Sequence, residues 1–282
     1  KCADKFAVLR GVSHTLAAHE LGTLYMGTGN RPLPSLNYPH YGAVVAKELR
    51  GTEYLPSFVA VPNLGENATG YLGVEYGPFE TGGTPQGGKA LEVRGLALRN
   101  GVTLEDVDRR QNLVQRYDTA FGEFGKEDKL LSGMDQFGQK AYAMMRSSKA
   151  REAFDIGKEA NATRDKYGTS DAGPRFLLAR RLVEAGVRFV TVNMFETVFD
   201  EVTWDIHGSR PFTDIAQMSR EVVPNFDRAY TALIEDLTER GLYSYNGPAT
   251  YYDLTYPNVV RIRADGSDRT VITTGKYTRP GG

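Results

Sequence analysis

The chain predicts an α/β fold: a three-layer α/β/α domain with a mainly parallel sheet over residues 1–243, followed by a short β-rich tail over 244–282. Three observations predict it. Pro174 opens a helical stretch through Phe176, Leu177, Leu178, Leu182 and Val183 that stops at Gly186 and passes directly into the strand Val187 to Val192. So short a helix-to-strand turn belongs to a sheet covered by helices. Phe6 to Leu9 and Phe58 to Val61 are two further apolar runs of strand length, set among helical stretches. Beyond Gly241 the pattern turns to β, with Pro257 to Ile262 and Thr270 to Thr273 flanking an Asp265-Gly266 turn in the manner of a hairpin.

In chain order, the first strand is followed by a helix from Ala17 to Met26, closed by the turn Gly27-Thr28-Gly29. Tyr38 to Gly42 leads into a second helix, Ala43 to Leu49, with Gly51 just past its end. After the strand at Phe58, residues 63–90 are rich in Gly, Pro and Thr and read as one long loop. Thr103-Leu104-Glu105-Asp106 has the form of an N-cap box, with Leu104, Val107, Val114, Tyr117 and Phe121 at helical spacing behind it. Ser132 to Ile156 holds another helical region whose inward residues are Met134, Phe137, Ala141, Met144 and Met145. A long helix from Phe212 to Arg240 turns Ile215, Met218, Val222, Phe226, Tyr230, Leu233 and Leu237 inward, and Pro224 marks a kink or a fresh start within it.

Composition narrows the function classes. With 34 basic and 35 acidic residues the net charge is −1, which gives no electrostatic footprint for nucleic acid. No apolar run approaches the ~20 residues that span a bilayer, and the first residues lack the basic-then-apolar pattern of a signal peptide. The lone Cys2 excludes an internal disulfide or a Cys-rich zinc ribbon. Gly82 to Lys89 lacks the register of a phosphate-binding loop because Ala90 follows the lysine, and no Gly-x-Ser-x-Gly elbow is present.

Several blocks carry a family likeness. They are Lys5 to Arg10 with His14 and His19, Met26 to Gly29, Tyr38-Pro39, Gly70 to Gly73, Leu178 to Val190, Trp204 to Gly208, and Phe226-Asp227 with Leu233 to Leu237. In this order, over Asp4 to Gly241, the chain resembles a bacterial sulfatase-like family of unknown function, of the DUF1501 type, within the alkaline-phosphatase superfamily. The resemblance implies an alkaline-phosphatase-like fold and an exported protein, periplasmic or at the cell surface. In sulfatases the nucleophile stands nine residues before the threonine of the closing turn; nine residues before Thr28 stands His19. Two departures stand out. The superfamily takes its first metal-binding acid from a strand upstream of Lys1, so the expectation is a domain incomplete at that end. Its later Gly-Glu-Phe-Gly-Arg-Thr-Pro block is replaced here by Ser244 to Thr250, and the tail, which holds no histidine, resembles a strand pair from a β-propeller.

The site residues expected on this basis are His19 as nucleophile or third metal ligand, and Asp205 and His207 as ligands of a divalent metal (zinc, manganese or calcium). His14, Thr28, Arg31 and Trp204 are expected to bind substrate. His14 and His19 lie five apart, about 140° on a helix at about 100° per residue, which separates them too far to chelate one ion. A ring at a helix head instead sits beside unpaired N–H groups that favour an anion. Asp205 and His207 alternate and project to one side if extended, offering oxygen and imidazole together. Arg31 has the fork geometry that clamps an oxyanion, Thr28 also suits a turn, and Trp204 suits a pocket wall. Two functions remain open: metal-dependent hydrolysis of a small phosphate or sulfate ester, with turnover in doubt, or a non-catalytic binding protein on the same fold that recognises acidic carbohydrate.

Overall fold

The computed structural model describes residues 2–6, 8–49, 51–65, 68–85, 91, 93, 101–121, 139–196, 202–243, 250–253, 260–263 and 270–271. Met134, Phe137 and the Asp265-Gly266 turn lie outside the described residues. The chain divides into two compact units, residues 1–22 with 231–282, and residues 23–230.

The larger unit is built on a three-stranded, all-parallel sheet. Strand β2 (Phe58–Val61) lies between β3 (Phe79–Glu80) and β4 (Phe189–Val192), with Val59 opposite both Phe79 and Val190. All four β2 residues are buried. An apolar run without polar alternation suits a central strand covered on both faces. Helix α2 (Tyr41–Glu48) packs on β2 and β4, and α7 (Ala172–Glu184) on β4. The α/β class and the parallel pairing are therefore present. One expected loop is corrected: residues 63–90 contain β3, whose two residues pair with β2 although their own sequence carries no alternation.

Local chemistry explains where the helices begin. His40 caps α2, its Nδ1 accepting the Gly42 N–H at 3.0 Å while its ring stacks on Phe58 with centroids 5.5 Å apart. Gly42 is required by that approach, because a Cβ there would lie 2.5 Å from the Phe58 ring. Helix α3 (Leu104–Phe121) opens with Thr103 and Asp106 bonded reciprocally, as the box pattern predicts. The described part of α4 spans 139–146, and α5 (Ser148–Phe154) and α6 (Asn161–Tyr167) follow. Helix α7 buries Leu177, Leu178 and Leu182 and ends at Gly186, whose φ of 101° suits only glycine. Strand β4 starts two residues later than expected, because the N–H groups of Arg188 and Phe189 both reach the Ser57 carbonyl.

The long helix expected from Phe212 begins instead at Ile215. Asp214 and Gln217 close a capping box there, and α8 (Ile215–Gln217) passes into a π-helical turn, Met218–Val222, before α9 (Val223–Glu239). Pro224, second in α9, has no N–H to give a regular ladder, and the Val223 N–H donates to the Met218 carbonyl five residues back.

In the smaller unit β1 (Val8–Arg10) pairs in parallel with β5 (Thr250–Asp253), and β6 (Val260–Arg263) and β7 (Thr270–Val271) follow in antiparallel order. The tail strands thus share one sheet with the first strand. Helix α1 (His19–Thr28) follows β1 in sequence.

Candidate functional site

The carboxyl end of β4 opens onto a cleft of about 260 Å³. In open α/β sheets this is the end where ligands bind. The amino end of α7 supplies Asp171 and Arg175, the segment after β4 supplies Glu196 and Trp204, and the π-helical turn with the start of α9 supplies Glu221 and Phe226. Arg175 is 8% exposed and fixed by two bonds, one donated to the Asn193 carbonyl and one to Glu196 at 2.5 Å. Its Nε is buried without a partner. Trp204 packs edge-on against Phe226, with centroids 5.3 Å apart, and Phe226 stacks on Tyr230.

Immediately beyond Trp204, Asp205 and His207 meet. The His207 Nδ1 lies 2.9 Å from Asp205 Oδ1; the Asp205 side chain is 6% exposed and that of His207 52%. The loop is pinned by Thr213, whose N–H donates to the Asp205 carbonyl at 3.0 Å and whose hydroxyl accepts the Thr203 N–H at 2.8 Å. Phe212 lies against the imidazole, with centroids 4.3 Å apart. A ring that gives Nδ1–H to a carboxylate keeps Nε2 as its acceptor, the arrangement of a general base or of an oriented metal ligand. The two residues expected side by side as ligands are brought together, but with Asp205 Oδ1 turned to the histidine. Among the described residues no three His, Cys, Asp or Glu side chains gather to hold a metal.

The other expected residues divide between the units. His14 and His19 belong to the smaller one. His19 is the first residue of α1 and is exposed, while His14 precedes the helix and accepts the Leu16 N–H at Nδ1, 3.2 Å away. Thr28 and Arg31 belong to the larger unit. The Thr28 hydroxyl donates to the Leu24 carbonyl at 2.7 Å and accepts the Asn30 N–H at 3.2 Å, the turn-forming role its position suits. Arg31 is exposed. Trp204 lines the cleft.

The family model described as a protein of unknown function (DUF1501) matches residues 1–244. The chain belongs to that family. No curated protein and no solved structure matches the chain. Membership in DUF1501 agrees with that part of the expectation drawn from the blocks between Lys5 and Leu237, and it assigns neither a superfamily nor an activity. Reading by motif passed over Arg175, Asp171 and Glu221. A signal for the first was present: Arg175 sits in the opening turns of α7, where the helix dipole disfavours a cation, so its placement asks for a tertiary reason.

Proposed function

We propose that this chain is an ester hydrolase relative of alkaline-phosphatase-like descent, exported from the cell, whose reacting centre includes the Asp205–His207 pair. The single observation that carries this is the 2.9 Å contact between His207 Nδ1 and Asp205 Oδ1 beside the cleft at the end of β4. Held in this way, His207 takes a proton from water at Nε2 while Asp205 stabilises the imidazolium. The water oxygen bonds to the phosphorus or sulfur of the ester as the bond to the leaving alcohol breaks, and the imidazolium returns its proton to that alcohol. His19, the nucleophile or third ligand that the resemblance implies, belongs to the smaller unit and takes no part in this step. A divalent metal, when bound at His207 Nε2, would supply Lewis-acid polarisation of the ester oxygen.

The test is hydrolysis of an aryl phosphate and an aryl sulfate by the purified chain, alone and with zinc, manganese or calcium. The expected result is turnover that falls by about 10²–10⁴ in His207→Ala. Equal rates in that variant would remove His207 from the chemistry, whereas an unchanged rate in His19→Ala is the expected result. No turnover in any condition would favour the second reading, a non-catalytic binding protein. A different observation favours that reading: the cleft has aromatic and polar walls and its own charge pattern.

A further inference from the structure

The cleft carries more acid than its arginine offsets. Of its charged residues, Arg175 and Glu196 pair with each other at 2.5 Å. Asp171 and Glu221 remain, and among the described residues neither forms an ion pair. Asp171 stands at the N-cap position of α7 without accepting a capping bond from that helix. Glu221 projects from the π-helical turn, a feature found often at functional sites. Two carboxylates lining one cleft with Trp204 and Phe226 disfavour a phosphate, sulfate or carboxylate and favour an ammonium group, which ring faces also attract. The acids do not converge closely enough with other ligands to hold a metal among the described residues. Arg175 makes no further demand on a ligand, since its Nε–H is enclosed by the protein and its other two nitrogens are bonded to Asn193 and Glu196.

We propose that this cleft is a binding site for a small ring-bearing amine, of the size and chemistry of an amino sugar. The ammonium lies between Asp171 and Glu221, and the apolar face of the ring lies on Trp204. A volume of about 260 Å³ holds one such ring and no longer chain. This site rests on the cleft alone and not on hydrolysis at His207.

Trp204 is the only tryptophan in the chain, so its fluorescence reports on this cleft directly. Titration of the full chain with glucosamine, glucose and glucuronate, which share a ring and differ in charge, separates the possibilities. The expected result is a saturable change with glucosamine, weakened by about fivefold in Glu221→Gln and again in Asp171→Asn, and reduced by salt. Glucose should bind more weakly, and glucuronate should give no saturable change. Binding of glucuronate as tight as that of glucosamine, or a glucosamine response unaltered in the Glu221→Gln and Asp171→Asn double variant, would overturn the proposal. So would the absence of any response to glucosamine. Loss of ester hydrolysis in His207→Ala with glucosamine binding intact would leave both centres standing, and the converse would separate them.

Discussion

Arg180 is the most informative side chain outside the cleft, because a guanidinium with no exposure has been taken wholly into the protein. Its Nη2 lies 2.8 Å from Glu159 and its Nη1 2.6 Å from Glu184, while Arg181 also bonds Glu159. Burial alone would raise the Glu159 carboxyl, but the bonds and charges of the two arginines outweigh it and hold the group below its usual range. Glu159 thus ties the segment before α6 to α7, the helix that presents Arg175 to the cleft. Replacing Glu159 with Gln should cost about 3 kcal/mol, the lower end for breaking a buried pair because Glu184 still faces Arg180. Urea unfolding checks this: the midpoint should fall with an unchanged slope, and an unshifted midpoint would show that the pair contributes nothing net.

At the scale of elements, α2 and β2 meet through Gly42 and Phe58. A Gly42→Ala change forces a Cβ into the ring, with an expected loss of about 1–3 kcal/mol seen as a lower melting temperature. Elements of this kind were legible in the sequence when their signals were local. Phe58–Val61 is an unbroken apolar run, α3 carries its own Thr103–Asp106 box, and Gly186 ends α7 where the pattern stops. Strand β3 was not legible, since two residues hold no period and their pairing is dictated by β2. Asp214 escaped notice because the apolar spacing continues across it, although its cap with Gln217 sets the helix start. For the site, the i, i+2 spacing of Asp205 and His207 suggested two ligands on one side of a strand and carried no signal that Asp205 Oδ1 turns to His207 Nδ1, 2.9 Å away. The cleft was illegible for a different reason. Its wall draws on residues from Ser170 to Phe226 that only the tertiary fold assembles.

The whole molecule should lose stability with acid in two steps. Burial lowers the pKa of His40, whose Nδ1 must stay unprotonated to accept the Gly42 N–H. The unfolded chain then binds the proton more readily, so the His40 contribution is complete above its ordinary value of about 6.5 and is lost as pH falls through its lower folded value. The Glu159 contribution is likewise complete above the ordinary carboxylate value and is lost at lower pH still, as its depressed folded value is passed. Melting temperature against pH should show both declines. His40→Asn keeps a capping side chain but does not titrate, and it should erase the upper decline while leaving the lower one; persistence of both would place the first proton elsewhere.

Membership in DUF1501, the parallel strands and the cleft at their carboxyl end all direct attention to the loop from Thr203 to Thr213. The most direct test is the rate of aryl phosphate or aryl sulfate hydrolysis by Asp205→Asn beside the parent chain, with melting temperature measured on both. A carboxylate that orients His207 predicts a loss of at least about tenfold, and up to about 10⁴, at nearly unchanged stability. A variant that melts like the parent and turns over equally fast would contradict the assignment of the Asp205–His207 pair as the reacting centre.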